Sequence, residues 1–316
     1  MRPSAPARLI AAAGSLALLG GAIAACGGPR PAALSRPRGG EGVAAPLDVA
    51  IDASRAWRKT RASLRPGAET VFYWSGEIYA LEDRAPPAPS GREPPLFRFE
   101  GFNVARILEA DGHPVLVSRE ASFYEDPTTG DVLRCWESRW APEPGPRGRR
   151  VLHVWNDPVS FPLAPPPHDA HGDRVSFATT LVLAYPSPLA ARPDLLPYSA
   201  GDVYRGAESF QFFVSRADLA DPRQESVPVD VAWTRVGPWL PWMRLAGSSM
   251  RLLYAAHGHK LARYEDLPLH VRRFVRGEGK ERYEHAPVSL APGPNATSWR
   301  YFAEEVGARR YVADCP

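Results

Sequence analysis

From Glu69 the chain alternates. Phe72, Trp74, Ile78 and Ala80 fall on one side, and Tyr73, Ser75, Glu77 and Tyr79 on the other. That is the two-residue period of a strand with one face in a core. The segments 96–108 and 115–124 repeat the pattern and are joined through Asp111-Gly112, a tight-turn pair. Asp126-Pro127-Thr128-Thr129-Gly130 predicts another turn, after which 132–140 is expected to return as a hairpin partner. Further strands are predicted at 151–157, 174–185, 209–215, 227–236 and 250–259. A helical period appears in three short places. Residues 48–63 carry Val49, Ala53, Ala56 and Trp57 ahead of Pro66-Gly67. From Asp266, Leu267, Val271 and Phe274 form a stripe closed by Gly277. Thr297 or Ser298 can cap a segment bearing Trp299, Phe302 and Val306. Nine or ten strands with two or three short peripheral helices predict a mainly β fold. The expectation is a single large antiparallel barrel or sandwich, a lipocalin- or calycin-like barrel being one form.

The first 47 residues do not share this pattern. Arg2 and Arg8 flank the start of an apolar run, Leu9 to Ile23, shorter than the roughly twenty residues of a membrane-spanning helix. The run leads into Ile23-Ala24-Ala25-Cys26, which resembles the bacterial lipobox. Residues 1–25 are therefore expected to be a lipoprotein signal peptide. Cys26 is the expected lipidated, palmitate-bearing residue, 26–47 a flexible tether and 48–316 a single β-rich domain. This predicts a protein in the cell envelope, lipid-anchored to a membrane and facing the periplasm or the exterior.

Composition narrows the picture. With 35 Pro and 26 Gly, long helical bundles are excluded. The balance of 38 basic against 35 acidic residues is too even for a chain whose partner is nucleic acid. Removing residues 1–25 takes two arginines and no acid, so the net charge falls from +3 to +1. Cys135 and Cys315 form a candidate disulfide in an oxidising compartment, the alternative being two separate, partly buried thiols. There is no C-x-x-C, G-x-S-x-G, P-loop, G-x-G-x-x-G or H-E-x-x-H, and no cofactor or metal is expected.

Candidate chemistry comes from polar residues placed in apolar rows. Asn103 falls among Phe97, Phe99, Ala105 and Ile107; Arg119 among Val115, Val117, Ala121 and Phe123; Asn156 after Leu152 and Val154. A guanidinium inside a core needs an anion. Arg119 either pairs with a carboxylate such as Glu100 or Asp157, or holds a ligand. His257-Gly258-His259 puts two imidazoles on one face of a strand. Arg119, Asn103, Asn156 and His257 are thus the expected ligand-binding set, for a small apolar ligand with an anionic or carbonyl end. Two alternatives stand beside it. One is an enzyme in which Arg119 stabilises charge and His257 or His153 moves a proton; the other is a structural envelope lipoprotein. Nothing in the chain names a catalytic residue.

Several blocks carry a family resemblance: Phe99-Glu100-Gly101-Phe102-Asn103-Val104-Ala105-Arg106, Leu116-Val117-Ser118-Arg119-Glu120, Tyr124-Glu125-Asp126-Pro127-Thr128-Thr129-Gly130, Val154-Trp155-Asn156-Asp157-Pro158-Val159, Gly237-Pro238-Trp239-Leu240-Pro241-Trp242-Met243 and Pro294-Asn295-Ala296-Thr297-Ser298-Trp299. Together they resemble the uncharacterised family DUF 1838, from about residue 48 to 303. The resemblance implies an exported protein and brings no activity with it.

Overall fold

The computed structural model describes residues 52–82, 93–140, 148–291 and 295–315. The expected signal peptide, the expected lipidation site Cys26 and the expected tether lie outside the described residues. Helix α1 (Ala53–Arg61) precedes the strands β1 (Thr70–Leu81), β2 (Phe97–Ala110), β3 (His113–Glu125), β4 (Cys135–Glu137), β5 (Gly148–Arg150), β6 (Val154–Pro162), β7 (His168–His171), β8 (Arg174–Pro186) and β9 (Val203–Ser215). A short α2 (Arg216–Ala220) leads to β10 (Asp230–Pro238) and β11 (Arg251–Leu261), followed by α3 (Leu269–Gly277) and α4 (Ser298–Gly307). Nine strands form one antiparallel sheet in the order β6-β3-β2-β1-β11-β10-β9-β8-β7, curled into a half-barrel. The fold is mainly β, with few short helices.

Each end of the concave face is plugged. At one end Asp52 caps α1 by accepting from the amides of Ser54 and Arg55. The helix then lays Trp57 against Phe177 and Phe212, ring centroids 5.2 Å away in both cases. Its last carbonyls are met from the sheet: the Lys260 ammonium donates to the carbonyls of Lys59 at 2.7 Å, Thr60 at 3.2 Å and Ala62 at 2.7 Å. A cation at a helix C-terminus satisfies carbonyls that have no partner in the helix and opposes the negative end of its dipole. At the other end the Trp239-Leu240-Pro241-Trp242 corner is buried, and Trp242 packs on Phe97 and Trp136 at 5.6 and 5.8 Å. Helix α4 closes the same end with Trp299 and Phe302.

The convex face is treated unevenly. Over β1, β2 and β3 it is covered by α3, which buries Val271 and Val275 and sets Phe274 4.6 Å from Phe123. On β8 it is open, and Ala178, Thr180, Val182 and Ala184 are exposed. Strand β3 is therefore buried on both sides, with Leu116 and Tyr124 facing inward, Ala121 and Phe123 packed in the cluster under α3, and Val117 buried on the same outer row.

The expected hairpin after the Asp126–Gly130 turn does not form. Past a single bridge between Glu125 and Val132, the chain leaves β3, and β4 pairs with β5 in a separate two-stranded sheet. The reason is that the exposed edge of β3 is taken by β6. Cys135 on β4 is bonded to Cys315, with Cα atoms 6.1 Å apart. This fastens the C-terminal tail beside β5, where the Arg150 amide donates to the Ala313 carbonyl at 2.9 Å.

Gly101 shows how tightly the floor of the half-barrel is built. A methyl group there would run into the Trp74 indole nitrogen and the Ser122 hydroxyl, and would come 2.6 Å from the Ala121 carbonyl oxygen. Gly101→Ala is expected to destabilise the fold by about 1–3 kcal/mol, the usual cost of overpacking. Urea denaturation followed by tryptophan fluorescence measures this; an unchanged midpoint would refute the tight contact.

Candidate functional site

Between the two plugs lies a cavity of about 760 Å³, walled by the concave face from β6 to β8 and by α1 and the first turn of α4. Its size is that of a pocket for a small organic molecule. The floor is aromatic: Trp233 stacks on Phe210 at 5.9 Å and meets Trp74 edge-on at 6.5 Å.

Strand register puts the polar side chains in two rows. Phe72, Asn103, Glu120 and Asn156 are successive cross-strand neighbours on β1, β2, β3 and β6, and all four line the cavity. On the other wall Tyr254, Arg235 and Glu208 are neighbours on β11, β10 and β9. Arg235 is held firmly. Its Nη2 donates to the Tyr204 hydroxyl at 2.6 Å, its Nε lies 3.4 Å from a Glu208 oxygen, and its guanidinium sits over the rings of Tyr254 and Trp299 at 4.7 and 5.2 Å. Arg61 reaches in from the last turn of α1, 4.8 Å above the Phe212 ring.

Burial shapes the electrostatics. Desolvation pushes the Glu120 carboxyl up to about 7; Glu208 adds to the rise, while the Asn156 amide and Arg61 oppose it. Burial likewise pulls the Arg61 guanidinium down to about 10, against the pull of Glu120. The buried polar atoms on cavity-lining side chains with no hydrogen-bond partner among the described residues include four that ring the aromatic floor: the indole nitrogens of Trp74 and Trp233 and the amide oxygens of Asn103 and Asn156. Two are donors and two acceptors, and such groups are costly to leave unpaired.

The expected site residues divide. Asn103 and Asn156 face the cavity. Arg119 does not: it lies on the convex face, with Nε 3.0 Å from Asp157 and Nη1 donating to the carbonyls of Arg282 at 3.0 Å and His285 at 2.8 Å. The more apolar row of β3 faces α3, so the rule that the apolar row is the inner one fails on a strand covered on both sides. His257 touches the cavity, but Tyr254 and Gly258 are the inward positions of β11, so its imidazole points outward and is exposed. His153 is buried outside the cavity, accepts from the Tyr124 amide at Nδ1 over 3.3 Å, and is pushed down by burial to about 3, so it stays neutral. Neither histidine is placed to move a proton in the cavity.

Glu120, Arg235, Glu208 and Arg61 were not anticipated. One signal for Glu120 was present. A two-residue turn at Asp111-Gly112 pairs Ala110 with His113 and hence Asn103 with Glu120, so an inward Asn103 requires an inward Glu120 and an outward Arg119.

The unfolded Glu120 carboxyl ionises near 4.5 and the folded one near 7. The folded chain therefore binds more protons in this window, and stability falls as pH rises through it. Glu120→Gln removes that loss. It is expected to stabilise the protein more at about pH 8 than at about pH 5, by a difference on the order of 2 kcal/mol. Thermal melts of both proteins at the two pH values measure it, and an equal effect at both would contradict a strained carboxylate.

No curated protein and no solved structure matches the chain. A family model described as "Protein of unknown function (DUF1838)" matches residues 67–306, from just before β1 to the end of α4, and the chain belongs to this family.

Proposed function

We propose that the domain binds a small, largely apolar ligand with a carbonyl or similar oxygen-bearing end, and that the protein is held at a membrane by a lipid on Cys26. The observation that carries this reading is the aromatic-floored cavity in which buried donors and acceptors have no protein partner. The Trp74 and Trp233 N–H groups suit an acceptor on the ligand, while the Asn103 and Asn156 oxygens suit a hydroxyl or amide. A neutral polar end fits better than a carboxylate. When Glu120 is ionised, it and Glu208 already match Arg61 and Arg235, so an added anion would then unbalance the charges.

Native mass spectrometry of the whole protein, extracted from its own host's envelope, tests the reading. A bound mass is expected in the wild type. In Asn103→Leu, which keeps the volume and removes the acceptor, occupancy should fall by about tenfold, the value of one good hydrogen bond. No bound mass in the wild type would overturn the proposal.

A second reading is favoured by one observation, the Glu120 carboxyl held near neutrality inside the cavity. Such a group is suited to general acid–base work. In that case Glu120→Gln retains the bound mass but stops its conversion.

The anchor reading is supported by the lipobox-like Ile23-Ala24-Ala25-Cys26 behind an apolar run. Among the described residues no helix is long and apolar enough to cross a membrane. Cells fed labelled palmitate are expected to incorporate it into the wild type but not into Cys26→Ser, and the variant should leave the membrane fraction. Equal labelling of both would exclude Cys26 as the lipidation site.

A further inference from the structure

On the convex face, across the sheet from the cavity, Glu100 of β2, Glu125 at the end of β3 and His270 in the first turn of α3 converge. One ligand atom from each lies within 4.8 Å of the others. Nε2 of His270 is 2.8 Å from a Glu100 oxygen. The two glutamates are buried, at 7% and 4% exposure, while the His270 side chain is 58% exposed. Helix α3 brings the imidazole down onto two neighbouring strands, so the group is assembled by the tertiary fold rather than by one segment.

Glu125 is the decisive member. Its carboxylate accepts no hydrogen bond from any described residue, although the residue is 96% out of contact with solvent. It lies beside a second buried carboxylate. Two such groups without matching positive charge are expensive. The cations on hand are His270, if protonated, and Arg98, the exposed cross-strand partner of Glu125. Tyr73 completes the surroundings as a phenol held against Glu100, its proton retained through burial and that carboxylate. The surroundings thus supply one unpartnered buried carboxylate, a second carboxylate with an imidazole already in contact, and an open side at His270.

We propose that Glu100, Glu125 and His270 bind a divalent first-row transition-metal ion. Two carboxylate oxygens and one imidazole nitrogen are a donor set suited to zinc or manganese. Three protein ligands leave further coordination positions for water on the exposed side. The ion neutralises both glutamates, and Tyr73 orients the Glu100 carboxylate from behind, as outer groups do in metal sites. The site is independent of the cavity reading and stands whether or not the cavity binds anything.

Titration of the chelator-stripped whole protein with zinc alone, and with manganese alone, tests the proposal by isothermal calorimetry and by thermal melts. The wild type is expected to take up one equivalent saturably and to melt at a higher temperature with it. His270→Ala changes an exposed side chain and leaves the core alone; it should weaken that equivalent by about tenfold or more. Glu125→Gln should do the same, whereas His171→Ala, on the distant edge strand, should bind as the wild type does. Absence of a saturable equivalent for both metals overturns the proposal. So does an equivalent that survives unchanged in both His270→Ala and Glu125→Gln.

Discussion

An antiparallel sheet that curls without closing leaves a concave apolar face that something other than the sheet must cover. In this chain that constraint organises the rest. The nine-stranded half-barrel has no pairing between β6 and β7. Its interior is stopped at one end by α1 and at the other by α4 and the tryptophan corner. The plugs are attached by polar contacts to the sheet itself: Lys260 grips the C-terminus of α1, and the Ala296 amide bonds the Pro158 carbonyl on β6 at 2.9 Å, just before Thr297 caps α4. What remains between them is a space too large for the surrounding side chains to fill.

The three strands β1, β2 and β3 carry chemistry on both faces. Alternation sends Asn103 and Glu120 inward while Glu100 and Glu125 go outward, a few residues apart on the same two strands. A change in charge on one side is thus separated from the other side by the thickness of a single sheet. Arg119 belongs to the outer set, where with Asp157 it pins the segment 282–285 to the sheet.

Much of the fold was legible because most strands have one wet face. The alternation in β1 and β2 identified Phe72, Trp74, Phe99 and Asn103 as inward, and each lines the cavity. Three of the helices were marked by apolar stripes and one of them, α4, by its cap Thr297; the α1 cap Asp52 and the short α2 were not foreseen. The site was less legible for two physical reasons. Where α3 covers β3, hydrophobicity no longer tells inside from outside, and Arg119 was placed on the wrong face. The polar row that does face the cavity looks, in the sequence, like a solvent row, which concealed Glu120 and Glu208. Residues gathered from distant segments leave no local pattern. Arg61 comes from α1 and Arg235 from β10, while His270 meets Glu100 across 170 positions.

Asn295 makes three bonds to one residue of the outermost strand. Its amide oxygen accepts from the Ser160 amide at 2.8 Å and hydroxyl at 3.0 Å, and its nitrogen donates to the Ser160 carbonyl at 2.9 Å. The side chain thereby offers β6 the donor and acceptor that a tenth strand's peptide group would have offered. An open β edge invites strand addition by another chain, the route to aggregates and swapped assemblies. One carboxamide near the C-terminal end of β6 occupies the positions such a strand would need there. It closes that stretch of edge to polypeptide while leaving the gap between β6 and β7 unbridged.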